Sequence, residues 1–200
     1  MKKTSNFKKA AALLLTTGVL FTASCTGRQP ANANEAVAEP DGSDYTFTYP
    51  SDWSVIREDS MYAIESPSMT VEKLEKNSNI SVLSAVIFDK AEDYMNIDES
   101  ALLDDYVPKY MEMVKAEFGS AEYDGNISDI EISGKTGKKV TYSYKDPFTE
   151  EEFFFETVFV LLKTGSYCHC YYLTYTANGK EAFDAFHGGF DKVIASFEFN

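Results

Sequence analysis

An α+β fold with a mainly antiparallel sheet and helices on both faces, an α/β/α sandwich, is predicted by three features of this 200-residue sequence. Strand-like segments follow one another from Tyr45 to Phe88 and again from Ile127 to Thr176, and the connections Gly134-Lys-Thr-Gly137 and Lys163-Thr-Gly-Ser166 are short and hairpin-like. Two other segments repeat apolar residues at intervals of three and four, as amphipathic helices do. Phe153 to Leu162 is apolar at positions pointing to both sides of a strand, so both sheet faces need cover there.

Each element has its own pattern. Tyr45-Thr-Phe-Thr-Tyr49 alternates aromatic and polar residues with the period of a half-buried strand, and Pro50-Ser-Asp-Trp53 is the turn that ends it. Trp53 to Arg57 and Met61 to Ser66 are short strands on either side of Asp59-Ser60. Met69 to Lys76 reads as one edge strand, because Glu and Lys alternate along it. Ile80 to Phe88 is long, apolar and β-branched, which suits a place near the sheet centre. The first helix spans Ser100 to Phe118, where Leu103, Tyr106, Val107, Tyr110, Met113, Val114 and Phe118 make the apolar stripe and Gly119 the stop. Pro108 removes a backbone donor mid-helix, which predicts a kink or a new helix starting near Tyr106. Strands follow at Ile127 to Ser133, Lys139 to Lys145, Glu152 to Leu162 and Tyr167 to Thr176. The last helix, Lys180 to Ser196, gathers Phe183, Phe186, Phe190, Val193 and Phe197 near one face, and Gly188-Gly189 weaken its middle.

The N-terminus carries an address. Lys2, Lys3, Lys8 and Lys9, with no acid among them, precede an apolar run from Ala10 to Phe21, and small residues lead into Cys25. The run falls short of the roughly 20 apolar residues that span a bilayer, so it reads as a secretory signal and not as a permanent anchor. Leu20-Phe21-Thr22-Ala23-Ser24-Cys25 resembles the lipobox of bacterial lipoproteins, which implies that the Cys25 thiol is lipidated and becomes the first mature residue. Thr22 stands where Leu or Val is usual in that motif. Residues 1–24 are then the signal peptide. Residues 25–43, rich in Pro, Gly, Asn, Ala and Glu, form a flexible tether, and 44–200 are one domain's worth of chain. The expected location is the extracytoplasmic face of a cell membrane, held by acyl chains on Cys25.

Composition narrows the partners. Removing residues 1–24 takes away four lysines and no acid, so the net charge goes from −14 to −18. A surface so acidic argues against nucleic acid, whose phosphates must be neutralised by basic residues. Cysteines 168 and 170 flank His169; on a strand the thiols share one face and the imidazole takes the other, so the three cannot converge on one metal. Two buried thiols are the expectation. The same alternation lines up Tyr167, His169, Tyr171, Leu173 and Tyr175, an aromatic ridge whose members Tyr167, His169, Tyr171 and Tyr175 can face a small ligand or peptide, or else pack under a helix. His187, beside Gly188, reads as a surface residue.

Carboxylates cluster at Asp98-Glu99, Asp104-Asp105, Asp124 with Asp129, and Glu150-Glu151-Glu152 after Asp146-Pro147. The D-x-D-x-D-G spacing of an EF-hand is absent, so a solvated acidic face comes first and a calcium-dependent binding protein second. No G-x-S-x-G elbow, H-E-x-x-H helix or glycine-rich phosphate loop is present, and with two histidines the catalytic inventory is thin. No catalytic residue, metal ligand or cofactor is expected, and an envelope enzyme is the least favoured reading.

Tyr45-x-Phe47-x-Tyr49-Pro50-x-x-Trp53, together with Tyr172-Leu-Thr-Tyr175-Thr-Ala177 leading into a helix that ends Val193-Ile-Ala-Ser-Phe197, resembles the PsbP/Mog1-like family. The resemblance implies that fold and a non-catalytic binding or scaffolding module, since the family includes an extrinsic photosystem II subunit, a Ran-binding protein and bacterial lipoproteins. An envelope protein or peptide is the partner this implies. The shared residues are structural aromatics, so no functional residue carries over.

Overall fold

The computed structural model describes residues 34–40, 44–58, 61–88, 96–119, 121–123, 125–164 and 167–200. The signal segment, Cys25, the Asp59-Ser60 turn and Asp124 lie outside the described residues. In chain order the elements are β1 (Glu35–Ala38), β2 (Tyr45–Pro50), β3 (Ser54–Glu58), β4 (Met61–Glu65), β5 (Met69–Val71), β6 (Leu74–Lys76), β7 (Ser78–Phe88) and helix α1 (Glu99–Glu117). They continue with β8 (Ile127–Ile132), β9 (Lys135–Lys145), β10 (Glu152–Thr164), β11 (Tyr167–Asn178), helix α2 (Lys180–Ser196) and β12 (Glu198–Phe199).

Seven strands form the main sheet in the order β3-β4-β7-β11-β10-β9-β8, and every neighbouring pair is antiparallel. The middle strand β11 is buried on both faces, as the mixed apolar pattern of this region requires. On one face α1 covers Val140, Phe159 and Tyr172 with a stripe that includes Leu103, Tyr106, Val107, Tyr110 and Val114. Across the other face lie α2 and a second sheet, β1-β2-β12, which together bury Tyr171, Leu173 and Tyr175 of β11 against Tyr45, Phe47, Phe190 and Phe197. Helices on both faces of a mainly antiparallel sheet are therefore present.

Several details depart from the sequence reading. Within the segment 25–43, expected to be a flexible tether, Glu35–Ala38 instead forms a strand that pairs with β2, and Ala38 is 1% exposed. Small alternating residues suffice there because Ala36 and Ala38 need only fill the space beside Tyr49 and Phe47, their partners in register. Met69 to Lys76 is a two-stranded hairpin and not one strand, because Glu72 and Lys73 both take positive φ, 50° and 73°, and turn the chain back. The turn before β9 sits at Ser133-Gly134, so Lys135 to Gly137 already belong to the strand. Helix α1 runs through Pro108 without a break. Pro108 and Asp104, whose carbonyl loses its partner, both lie on the exposed side, where water can replace the missing donor.

Ion pairs tie α1 to the neighbouring strand: Lys135 Nζ lies 3.2 Å from Glu99, and buried Lys138 reaches Asp104 at 2.6 Å and Asp129 at 2.5 Å. Hydrogen bonds from Lys138 to Asp104 and Asp129 raise its ammonium pKa. The two helical glycines of α2 differ sharply. A Cβ on Gly189 would lie 2.5 Å from Trp53 Cζ2, whereas Gly188 has nothing within 4 Å. Gly188→Ala should stabilise the protein by about 0.5–1 kcal/mol through helix propensity. Gly189→Ala should instead destabilise it by about 1–3 kcal/mol by displacing the indole. Denaturant midpoints of the two variants measure this, and equal shifts of one sign would contradict the packing.

Candidate functional site

The ridge on β11 divides into a covered part and an open end. Tyr175 is fully buried under α2: its ring stacks on Phe190 with centroids 5.6 Å apart, and its hydroxyl donates to the Phe183 carbonyl at 2.8 Å. Tyr171 is sealed by the small sheet, edge-on to Phe199 at 4.9 Å and to Tyr45 at 5.9 Å. Both belong to the core, and neither has surface left for a ligand, which corrects the expectation for these two positions. The physical reason is that α2 and β12 extend over β11 as far as Tyr171. Beyond that point the cover ends. Tyr167 is 52% exposed, His169 is half-buried with its ring edge-on to Tyr167 at 6.4 Å, and Val86, cross-strand from His169, is 41% exposed. A bulge between Cys168 and His169 shifts the register against β7 at this end.

A second polar constellation was not legible as a site. Glu156, 7% exposed, is the lone acid in the apolar run of β10 and faces α2. His187 Nε2 lies 3.3 Å from Glu156 Oε2, which also accepts from the Thr141 hydroxyl at 3.4 Å, and Lys139 Nζ lies 3.4 Å from Oε1. His187 Nδ1 meets Asp191 one turn along α2, also at 3.3 Å. His187 is thus wedged at the seam between helix and sheet, half-buried, and not a free surface residue. The signal that could have found it is Glu156 itself, since an acid inside a buried strand needs a cationic or donating partner. With Glu156 engaged by His187, Lys139 and Thr141, the seam fastens α2 to the sheet.

The other reactive groups are similarly engaged. Cys168 and Cys170 are buried free thiols; burial pushes Cys168 up to about 11 and Cys170 well above the ordinary thiol range. Neither presents a thiolate at neutral pH. Among the carboxylate clusters, Asp98 caps α1 by accepting from the Ser100 and Ala101 amides, Asp105 pairs with Lys109 at 2.5 Å, and Asp104 and Asp129 hold Lys138. Among the described residues no three His, Cys, Asp or Glu side chains converge as a metal site requires. No helix among them is long and apolar enough to cross a membrane.

Burial raises the phenols of Tyr171 and Tyr175 to about 12, with Asp44 adding to the effect at Tyr171. The folded state therefore favours the protonated phenols, and their contribution to stability is present below about pH 10 and lost as pH rises through about 12. In an alkaline absorbance titration these two tyrosines should ionise only near 12, together with loss of the circular dichroism of the fold. Ionisation of both near 10 with the fold intact would contradict their burial.

No protein-family model matches the chain, and no curated protein does. Among solved structures it is similar to LpqN of Mycobacterium tuberculosis, described as involved in cell envelope biogenesis, with a TM-score of 0.51 at 11% identity over 85% of this chain and 87% of that one. It is equally similar to the Saccharomyces cerevisiae Ran-binding protein Mog1p, with a TM-score of 0.51 at 12% identity over 83% of this chain and 95% of that one. At such identities the likeness establishes the fold, and the fold of this chain is Mog1/PsbP-like.

Proposed function

We propose that this chain is a lipid-anchored extracytoplasmic module that binds an envelope protein or peptide and carries out no chemistry on it. The observation that carries this reading is the open end of β11, where Tyr167 and Val86 stand exposed around His169 at the end of an otherwise covered sheet. An aromatic ring and an aliphatic side chain beside an imidazole, held on rigid strands, suit recognition of a side chain or a short segment. The burial of the thiols and the pairing of Glu156 with His187 support binding over catalysis, because a reactive group buried or tied into the fold is not poised against a substrate. The envelope role stated for LpqN and the protein partner stated for Mog1p are consistent with it.

Location rests on Cys25 and the signal before it. Because β1 begins at Glu35, only a short stretch separates the domain from the anchor, and at 3.3–3.6 Å per residue it reaches at most about 35 Å. A lipidated Cys25 would hold the domain close to the bilayer surface, within range of membrane-bound partners.

Two outcomes are expected. Cys25→Ser should move the protein from the membrane to the soluble fraction on cell fractionation; retention on the membrane would refute the anchor. A Tyr167→Ser, Val86→Ser double variant should lose the crosslinks that a photoreactive residue at position 169 makes with an envelope component in intact cells. Crosslinks of undiminished yield would remove the open end of β11 from the binding reading.

A further inference from the structure

The hairpin between β9 and β10 ends in a turn whose hydrogen bonds prevent it from collapsing. The Asp146 carboxylate accepts from the Phe148 and Thr149 amides, each at 2.8 Å, and these bonds, Thr149 first, hold its carboxyl below the usual range. The Asp146 amide donates to the Glu151 carbonyl at 2.8 Å, the Glu150 amide to the Asp146 carbonyl at 2.9 Å, and the Glu151 amide to the Thr149 hydroxyl at 3.3 Å. Pro147 fixes one more dihedral, and Glu150 takes a positive φ of 61° to close the loop.

This ordered turn holds Phe148 out in water at 94% exposure, the highest of any large hydrophobic among the described residues. A single exposed apolar residue would need no explanation. Here the strand ends that support the turn also carry aromatic rings: Tyr144 stacks on Phe118 at 4.4 Å and on Phe153 at 5.4 Å, and all three rings are only part-buried. Asp146, Glu150 and Glu151 lie in the turn and Glu152 begins β10; the one cation beside them, Lys145 at the end of β9, stands 3.8 Å from Glu150, and the protein's net charge is −14. A preorganised aromatic in a field of one sign loses little entropy on docking and selects a partner of the opposite sign.

We infer that the β9–β10 tip is a docking finger for a cationic amphipathic segment of a partner protein. Phe148 enters the apolar face of that segment, and its Lys or Arg residues pair with Glu150, Glu151 and Glu152. The surface lies at the far end of β10 from Tyr167, since Glu152 and Thr164 are the two ends of that strand and Thr164 pairs with Tyr167. It extends the binding reading without depending on the open end of β11.

The probe is a fluorescent Lys/Leu amphipathic helical peptide, titrated with the full chain and followed by anisotropy. Phe148→Ala should weaken binding about tenfold or more, as loss of a central aromatic does, and Phe148→Trp should retain it. Replacing Glu150, Glu151 and Glu152 by Gln should weaken binding and flatten its salt dependence. Tyr167→Ser should leave it unchanged, so that failure of the β11 surface and failure of the finger are told apart. Binding that Phe148→Ala leaves within about twofold of the natural chain would reduce the effect to general charge attraction and overturn the proposal. So would the absence of binding at any peptide concentration tested.

Discussion

Every layer of this protein depends on the pairing of β10 with β11, a hairpin in register from Phe153 opposite Asn178 to Thr164 opposite Tyr167 and buried on both faces for most of its length. A ladder that sheds water on both sides is stable only if something apolar covers each side. Tyr171, Tyr172 and Tyr175 are among its buried residues, and a buried hydroxyl without a partner costs about 1–3 kcal/mol. The covers must therefore be placed by hydrogen bonding as well as by shape. Tyr172 meets the hydroxyl of Tyr106 on α1, and Tyr175 donates into the backbone of the first turns of α2. These contacts fix where each helix crosses the sheet, and the Lys138 and Glu156 ion clusters fasten the same two helices at their flanks.

The cover is not uniform, and its unevenness defines the surfaces. Helix α2 and the small sheet stop at Tyr171, which leaves Tyr167, His169 and Val86 beyond their edge. At the other end of β10, its turn with β9 carries Phe148. The first exposed aromatic stands where β11 outruns its cover and the second in a hydrogen-bonded turn, and both are backed by the strands of the sheet.

Much of this architecture was legible because the sheet writes its burial into period-two aromatic patterns and the helices theirs into three-four spacing. Tyr45 to Tyr49, the α1 stripe and the phenylalanines of α2 are examples. What escaped was decided by tertiary register. The strand Glu35–Ala38 reads Glu-Ala-Val-Ala, which carries no strong local strand signal, and exists because β2 offers it an edge. Pro108 breaks the local helix rule, yet α1 persists because its buried stripe skips that position. The β11 ridge was visible as a set of residues. Which of them stay open depends on where α2 and β12 end, a length no local pattern encodes. His187 looked like a surface residue because the partner that draws it against the sheet, Glu156, lies in another element.

The electrostatics of the interior bear on how such a surface would select. Buried phenols and thiols are held in their neutral forms, and the buried cation Lys138 and anion Glu156 are each paired within the fold. The excess negative charge therefore resides at the surface, where acids outnumber bases and the field attracts basic partners broadly. A broad field gives rate and little discrimination. Discrimination has to come from the few apolar points standing in that field, and a partner must satisfy both at once. Phe148 meets this condition most fully, because its ring is exposed, its backbone is ordered and its neighbours in the turn are mainly acids.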